Sequence, residues 1–312
     1  MSLISSNSFL YRDRFICLEL LNLKNEQDYA ACAFWNEPYI NNAHTLIYFA
    51  SGSWDVKVEG CEYQPQPGEI CILRCLETCL LTPVEYPCSM YRISFSSHYF
   101  KIVDPNFVLN IPFTKRPLGV GNFYRIPESE QARLSKNIFR IQDKTNAGDK
   151  RLALFVTLID LLHEICDLYH PHMQDKRSPQ AREVLDYINA HYCEDIGIHT
   201  LTQQLYMSRS QIERIIKTAT GYSTWNYILQ KRITRATQLL HGGMGNREVA
   251  QATGFRDYST FYKAYVKIAH QTPTGEHPSI DNDPLLKNFY RLDKANFTWT
   301  DKSRKEKCRK KY

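Results

Sequence analysis

Between Ala181 and Pro278 the sequence reads as two helix-turn-helix units joined by a single helix, and no other feature narrows the possible folds as far. Ala181–Tyr192 is amphipathic, with Val184, Leu185, Ile188 and Tyr192 on one side. Ile198–Leu205 forms the first short helix of a unit. Ser208 is suited to cap the next helix, Arg209 to Lys217, whose Ile212, Ile215 and Ile216 turn inward. Gly221-Tyr222 ends that unit, and Ser223 opens a long helix to Leu240. Its apolar side carries Trp225, Ile228, Leu229, Ile233, Ala236, Leu239 and Leu240. Asn246–Ala252, a Gly254-Phe255 turn and Tyr258–Ala269 repeat the motif, with Phe261, Ala264 and Tyr265 inward.

The opposite faces are polar and partly basic. In the first unit they carry Arg209, Ser210, Glu213, Arg214 and Lys217; in the second, Tyr258, Ser259, Tyr262 and Lys263. A short helix with such a face fits the major groove of double-stranded DNA, about 12 Å wide. The charge distribution agrees. Residues 1–170 carry 16 Lys and Arg against 19 Asp and Glu, a net of −3, whereas residues 171–280 are +4 and residues 281–312 are +5. The positive charge thus lies in the half that a polyanion would meet.

The first 125 residues are patterned as short strands. Thr45–Phe49 and Ser53–Val58 flank a Ser51-Gly52 turn, Pro67-Gly68-Glu69 leads into Ile70–Leu73, and Met90–Phe95 alternates again. This spacing predicts a sandwich or small barrel. Helical spacing then takes over in Glu128–Gln142 and Lys150–Tyr169. In the second, Leu154, Leu158, Leu161, Ile165 and Leu168 step by 4, 3, 4 and 3, a seam suited to pair with a second chain in a homodimer. Leu152, Phe155, Ile159 and Leu162 add a second apolar side, so one side can cover the β-region while the other meets a partner. His170 to Pro179 breaks the helix and reads as a linker.

Cys71, Cys75, Cys79 and Cys88 fit no zinc spacing and read as reduced, buried thiols. No metal, cofactor or catalytic group is expected. No stretch of eighteen apolar residues spans a membrane. Met1-Ser2-Leu3-Ile4 lacks the basic start of a signal peptide, and a cytoplasmic location is expected. Trp35, Tyr39, His44, Tyr48 and Trp54 are the candidate ligand-binding residues of the β-region, against their use as core.

Residues 181–278 resemble the DNA-binding domain of the AraC/XylS transcription regulators. The matching strings are Ser208 to Lys217, Thr220-Gly221-Tyr222, Tyr227-Ile228, Arg232, Ala236, Leu239-Leu240, Val249-Ala250, Gly254-Phe255, Asp257, Ser259, Phe261, Lys267 and Thr272-Pro273. Three positions depart from the pattern: Tyr206 and His270 stand where the family usually has Gly, and Val266 where it has Lys. The resemblance extends more weakly to the N-terminal half, where it implies a cupin-like β-barrel followed by a dimerising helical pair. It also implies transcription activation with recruitment of RNA polymerase. A metal-dependent cupin would need paired His and a nearby Glu, and the region offers His44 with Glu69 distant.

The expected architecture is α+β and multidomain: a cupin-like β sensor or dimerisation domain over 1–127, a helical dimerisation segment over 128–170, and a linker over 171–180. An all-α DNA-binding domain with two helix-turn-helix motifs follows over 181–280, and a basic tail over 281–312. The expected function is a sequence-specific transcriptional regulator, an activator whose N-terminal domain senses a small-molecule effector or dimerises. Two alternatives stand beside it: a cupin-type enzyme fused to a DNA-binding domain, and a ligand-independent regulator controlled by abundance.

Overall fold

The computed structural model describes residues 7–12, 16–32, 37–95, 104–144, 147–170, 174–241 and 243–274. Trp35 and the basic tail lie outside the described residues. The chain forms two compact units that divide at Ala181, with Thr218–Gly221 grouped with the first.

The N-terminal unit begins with β1 (Asn7–Arg12), β2 (Ile16–Leu23), a short α1 (Glu26–Ala31) and β3 (Tyr39–Ile40). Six strands follow: β4 (His44–Ser51), β5 (Trp54–Val58), β6 (Cys61–Tyr63), β7 (Glu69–Leu73), β8 (Thr78–Pro83) and β9 (Cys88–Phe95). After α2 (Ile111–Thr114) and β10 (Phe123–Arg125) come two long helices, α3 (Glu128–Asp143) and α4 (Ala147–Leu168). All strand pairs are antiparallel. One sheet has the order β1-β2-β9-β4-β7-β10 and the other β3-β8-β5-β6.

The alternation of side chains along β4 divides the interior in two. Leu46 and Tyr48 point to one face of the larger sheet, where they join Ile70, Ile72, Ile93 and Phe95 beneath the helices. Ile47 and Phe49 point to the other face and pack against Trp54, Val56, Leu81 and Met90 between the sheets. A sheet covered on both faces explains why β4 reads as nearly continuous apolar sequence. Glu19 and Arg92, cross-strand partners on β2 and β9, form an ion pair buried in this sheet. The Glu59-Gly60 connection of the β5–β6 hairpin has φ of 46° and 85°. Glu59 is held in that left-handed conformation by its carboxylate, which accepts from the Thr78 amide at 2.7 Å and hydroxyl at 2.9 Å.

Two sequence expectations are corrected here. The described strands form two open sheets rather than a closed cupin-like barrel, because β1 and β10 on one sheet and β3 and β6 on the other remain edges. The dimer seam is turned inward: Leu154, Leu158 and Ile165 are fully buried, Leu161 is 5% exposed, and Leu168 packs against the same core. The underside of the larger sheet is apolar and needs that cover, so the more regular stripe of α4 is consumed within the subunit. What α3 and α4 leave exposed is Phe139, Leu152 and Val156, at 61%, 64% and 50%. Within the segment read as a linker, the buried guanidinium of Arg177 meets Asp175 Oδ2 at 2.8 Å.

Of the four clustered thiols, Cys71, Cys79 and Cys88 are buried, as expected, whereas Cys75 is half-buried; Cys17 and Cys61 are buried as well. Burial pushes the Cys79 thiol up to about 12 and that of Cys88 to about 11, which keeps both protonated.

The C-terminal unit is helical: α5 (Pro179–His191), α6 (Ile198–Leu205), α7 (Arg209–Thr220), α8 (Thr224–His241), α9 (Asn246–Ala252) and α10 (Tyr258–Ala269). Its second half closes on Ile233, Ala236, Val249, Phe255, Phe261 and Tyr265.

Candidate nucleic-acid interface

The start of α7 is fixed by a reciprocal cap. Ser208 Oγ accepts from the Gln211 amide at 3.3 Å, and Gln211 Oε1 accepts from the Ser208 amide at 2.9 Å. With the first turn so fixed, Ile212 and Ile216 are buried and Ile215 is half-buried. Arg209, Ser210, Glu213, Arg214 and Lys217 are all exposed. The Arg209 guanidinium meets Glu213 Oε1 at 2.8 Å, one helical turn on. That pair partly neutralises the carboxylate on an otherwise basic face.

The second unit is built with different caps and the same outcome. Asp257 accepts from the amide and hydroxyl of Thr260, each at 2.8 Å, and these bonds hold its carboxyl below the usual carboxylate range. On α10, Ser259, Tyr262 and Lys263 are exposed. Tyr258 is half-buried, its ring 5.8 Å from that of Phe261, so it belongs as much to the core as to the outward face. Trp225, expected on the apolar side of α8, is 54% exposed.

Each unit turns between its helices through a left-handed residue. In the second, Gly254 has φ of 79°, and a Cβ there would lie 2.4 Å from the Cys193 carbonyl oxygen. In the first, the turn is made by Tyr206, with φ of 52° and its side chain 95% exposed. His270, which ends α10, has φ of 51°. The two family departures at Tyr206 and His270 therefore fall on backbone positions that glycine would adopt without strain.

A residue that the sequence reading carried without a role ties the domain together. Arg232, buried on α8, donates to the carbonyls of Tyr192 at 2.6 Å, Glu194 at 2.6 Å and Gly254 at 2.9 Å. It thus links the connecting helix to the end of α5 and to the turn of the second unit. The available signal was an arginine immediately beside the inward Ile233. A guanidinium on that flank has to find acceptors within the fold.

Residues 201–275 match the helix-turn-helix domain family. The chain carries an AraC-type helix-turn-helix DNA-binding domain. An uncharacterized HTH-type transcriptional regulator of Staphylococcus aureus is 23% identical over 153 residues, which cover 48% of this chain and 20% of that protein. The Msm operon regulatory protein of Streptococcus mutans is 26% identical over 116 residues, covering 36% of this chain and 42% of the relative. The matches thus span less than half the length of either relative. Among solved structures, ToxT from Vibrio cholerae O395 aligns over 89% of this chain and 98% of its own at 12% identity, with a TM-score of 0.36.

In the AraC-type domain the outward residues are thus carried by capped, closely packed helices. The described N-terminal candidates, in contrast, are divided between two faces of the fold. Tyr48 and His44 lie on the helix-facing side of the larger sheet, whereas Tyr39 and Trp54 lie between the sheets. Trp54 is 1% exposed and its indole donates to the Ser51 carbonyl at 3.3 Å. His44 sits against Phe113 and Phe95, with ring centroids 4.7 and 5.7 Å away. Burial, with Arg116 and Arg74 nearby, lowers its imidazole to about 4. His44 and Tyr48, four positions apart on β4, share one face of the larger sheet, whereas Tyr39 and Trp54 belong to β3 and β5 of the smaller sheet. Among the described residues no group of three or more His, Cys, Asp or Glu could hold a metal ion. Nor, among the described residues, is any helix long and apolar enough to cross a membrane.

Proposed function

We propose that this protein is a sequence-specific transcriptional regulator, acting as an activator in the cytoplasm. Its AraC-type domain reads double-stranded DNA, and its N-terminal unit serves effector sensing or dimerisation. The observation that carries the reading is the pair of exposed polar faces on α7 and α10, joined by the continuous helix α8. The Streptococcus mutans relative, an operon regulatory protein, supports it. In this reading Arg209, Ser210, Glu213, Arg214 and Lys217 meet one groove segment, and Tyr258, Ser259, Tyr262 and Lys263 the next. RNA polymerase enters as a partner on the strength of the family resemblance alone.

The length of α8 gives the spacing. Its 18 residues span roughly 27 Å at 1.5 Å per residue, and one turn of B-DNA is about 34 Å. With the width of the flanking units added, two reading helices at its ends reach successive major-groove segments on one face of the duplex. A rigid connection also avoids ordering a flexible one at every binding event. The operator is then an asymmetric site of two short boxes about 10 bp apart. Inserting about 5 bp between the boxes moves one to the far side of the duplex. Affinity of the full chain for the altered site should fall to its level for scrambled DNA. Tight binding to the altered site would limit base reading to one unit.

For the homodimer, the reading transfers the interface from the buried seam to Phe139, Leu152 and Val156, large apolar side chains that α3 and α4 leave in solvent.

A further inference from the structure

The N-terminal unit has a groove that none of the candidate ligand residues line. It has a volume of about 720 Å³ and is bounded by Asp55, Glu62, Tyr63, Glu69, Phe123 and Lys176. The register explains its position. Asp55 and Lys57 alternate with the inward Trp54, Val56 and Val58, so they line the outer face of the smaller sheet. Tyr63 on β6 and Phe123 on β10 belong to edge strands of the two different sheets, and their rings stack at 4.2 Å across the opening. The Tyr63 hydroxyl donates to the Gly119 carbonyl at 3.0 Å, which fixes the ring.

One cation is already in place. The Lys176 ammonium lies over the Tyr63 ring, 5.2 Å from its centroid. It comes from the segment between α4 and α5, next to the buried Arg177. The other lysine of the groove, Lys57, is matched by Glu62 at 2.7 Å. Asp55 accepts from Gln64 at 3.0 Å, and Glu69 from the Gln66 amide at 3.0 Å, both neutral donors. The groove therefore combines an electron-rich aromatic face, on which Lys176 rests, and two carboxylates that form no ion pair among the described residues. That ammonium is exposed, and a cation–π contact in solvent is worth about 0.5–1 kcal/mol. A better cation can displace it.

We propose that this groove binds a small organic ammonium with an apolar arm, which takes the place of Lys176 over Tyr63 while its arm rests against the Tyr63–Phe123 stack. Displacement frees the Lys176 side chain from the sheet edge just before the first helix of the AraC-type domain. The inference uses no residue of the DNA-reading surface, so its test is independent of whether that surface reads an operator.

The test is calorimetric titration of the full chain with phenethylamine, with 2-phenylethanol as the neutral counterpart of the same shape. Phenethylamine should bind saturably and at least tenfold more tightly than the alcohol. Asp55→Asn should weaken it several-fold. Lys176→Met should tighten it by about two- to fivefold, the equivalent of the contact removed. A directly contacting lysine whose role was only to shape the groove would give the opposite sign. Equal binding of amine and alcohol, no saturation in the millimolar range, or unchanged or weaker amine binding in Lys176→Met would each overturn the proposal. Thermal melting of each variant shows whether it is folded, and the conservative Asp55→Asn keeps the test available if a larger change unfolds the unit.

Discussion

Arg232 Nη1 donates to the Gly254 carbonyl at 2.9 Å, and Gly254 makes the turn of the second helix-turn-helix unit with φ of 79°. The two residues depend on one another: the turn presents its carbonyl to the guanidinium, and the guanidinium leaves no room for a side chain at the turn. A Cβ at Gly254 would lie 3.2 Å from Arg232 Cζ as well as 2.4 Å from the Cys193 oxygen. Arg232→Met should leave three carbonyls without their donor and destabilise the domain by about 3 kcal/mol. Gly254→Ala should cost about 2 kcal/mol or more, from strain and contact together. Urea denaturation of the full chain, followed by helical circular dichroism, checks both. A loss below about 1 kcal/mol in Arg232→Met would remove the stapling role.

The left-handed tyrosine and histidine give the opposite sign. Tyr206 is almost wholly exposed, so its replacement removes little packing. Tyr206→Gly should relieve the φ of 52° and stabilise by about 0.5–1 kcal/mol after the greater freedom of the unfolded glycine is counted. His270→Gly should act similarly. Melting temperatures of the single and double variants measure this, and a fall in both singles would contradict it.

For DNA reading, Arg214 and Lys263 should differ in kind. Arg214→Ala should lose about 1–3 kcal/mol on the cognate duplex and little on scrambled DNA, as expected of a bidentate contact to guanine. Lys263→Ala should weaken binding to both sequences and lower the salt slope by about one, as expected of a phosphate contact. An unchanged cognate-to-scrambled ratio in Arg214→Ala would exclude it from base reading.

The helical pair gives a third contrast. Leu158→Lys with Ile165→Lys now introduces charge into a core where both residues are 0% exposed, and should unfold the N-terminal unit rather than release a folded monomer. Phe139→Glu with Val156→Glu changes exposed positions. It should leave melting within a few degrees of the parent while shifting sedimentation from dimer to monomer. A parent chain already monomeric at tens of micromolar would end the dimer proposal.

His44 links burial to pH. Its imidazole is lowered to about 4 in the folded chain, against about 6.5 when unfolded, so the unfolded chain takes up the proton first. Stability is complete above pH 6.5 and is lost as pH falls towards 4, where the effect levels off. This amounts to about 3 kcal/mol across the window. His44→Gln does not titrate there. The stability difference between parent and variant, measured by denaturation at pH 7 and pH 4.5, should shift in the variant's favour at the lower pH. A constant difference would show that His44 does not hold the shifted value.

The sequence by itself determined the C-terminal domain closely. The helices Ile198–Leu205, Asn246–Ala252 and Tyr258–Ala269 begin and end where their spacing and caps place them. The reason is local: caps, glycines and helical apolar spacing act over three or four residues, and each small core is built from neighbours in sequence. The same locality made the outward faces of α7 and α10 legible.

Tertiary structure decided what sequence periodicity left open. Spacing showed that the seam from Leu154 to Leu168 had to be buried, but not against what; the apolar underside of the larger sheet took it. Strand patterns gave strands but not closure, and the pairing left two open sheets. Sheet pairing divided the aromatics, His44 and Tyr48 going to the larger sheet and Tyr39 and Trp54 to the smaller, whereas the Tyr63–Phe123 stack joins residues 60 positions apart on different sheets. Arg232 likewise meets Tyr192 and Gly254 only once α5, α8 and the second turn have packed. Contacts between segments remote in sequence depend on which surfaces meet, and that is settled only when the whole unit has buried its apolar area.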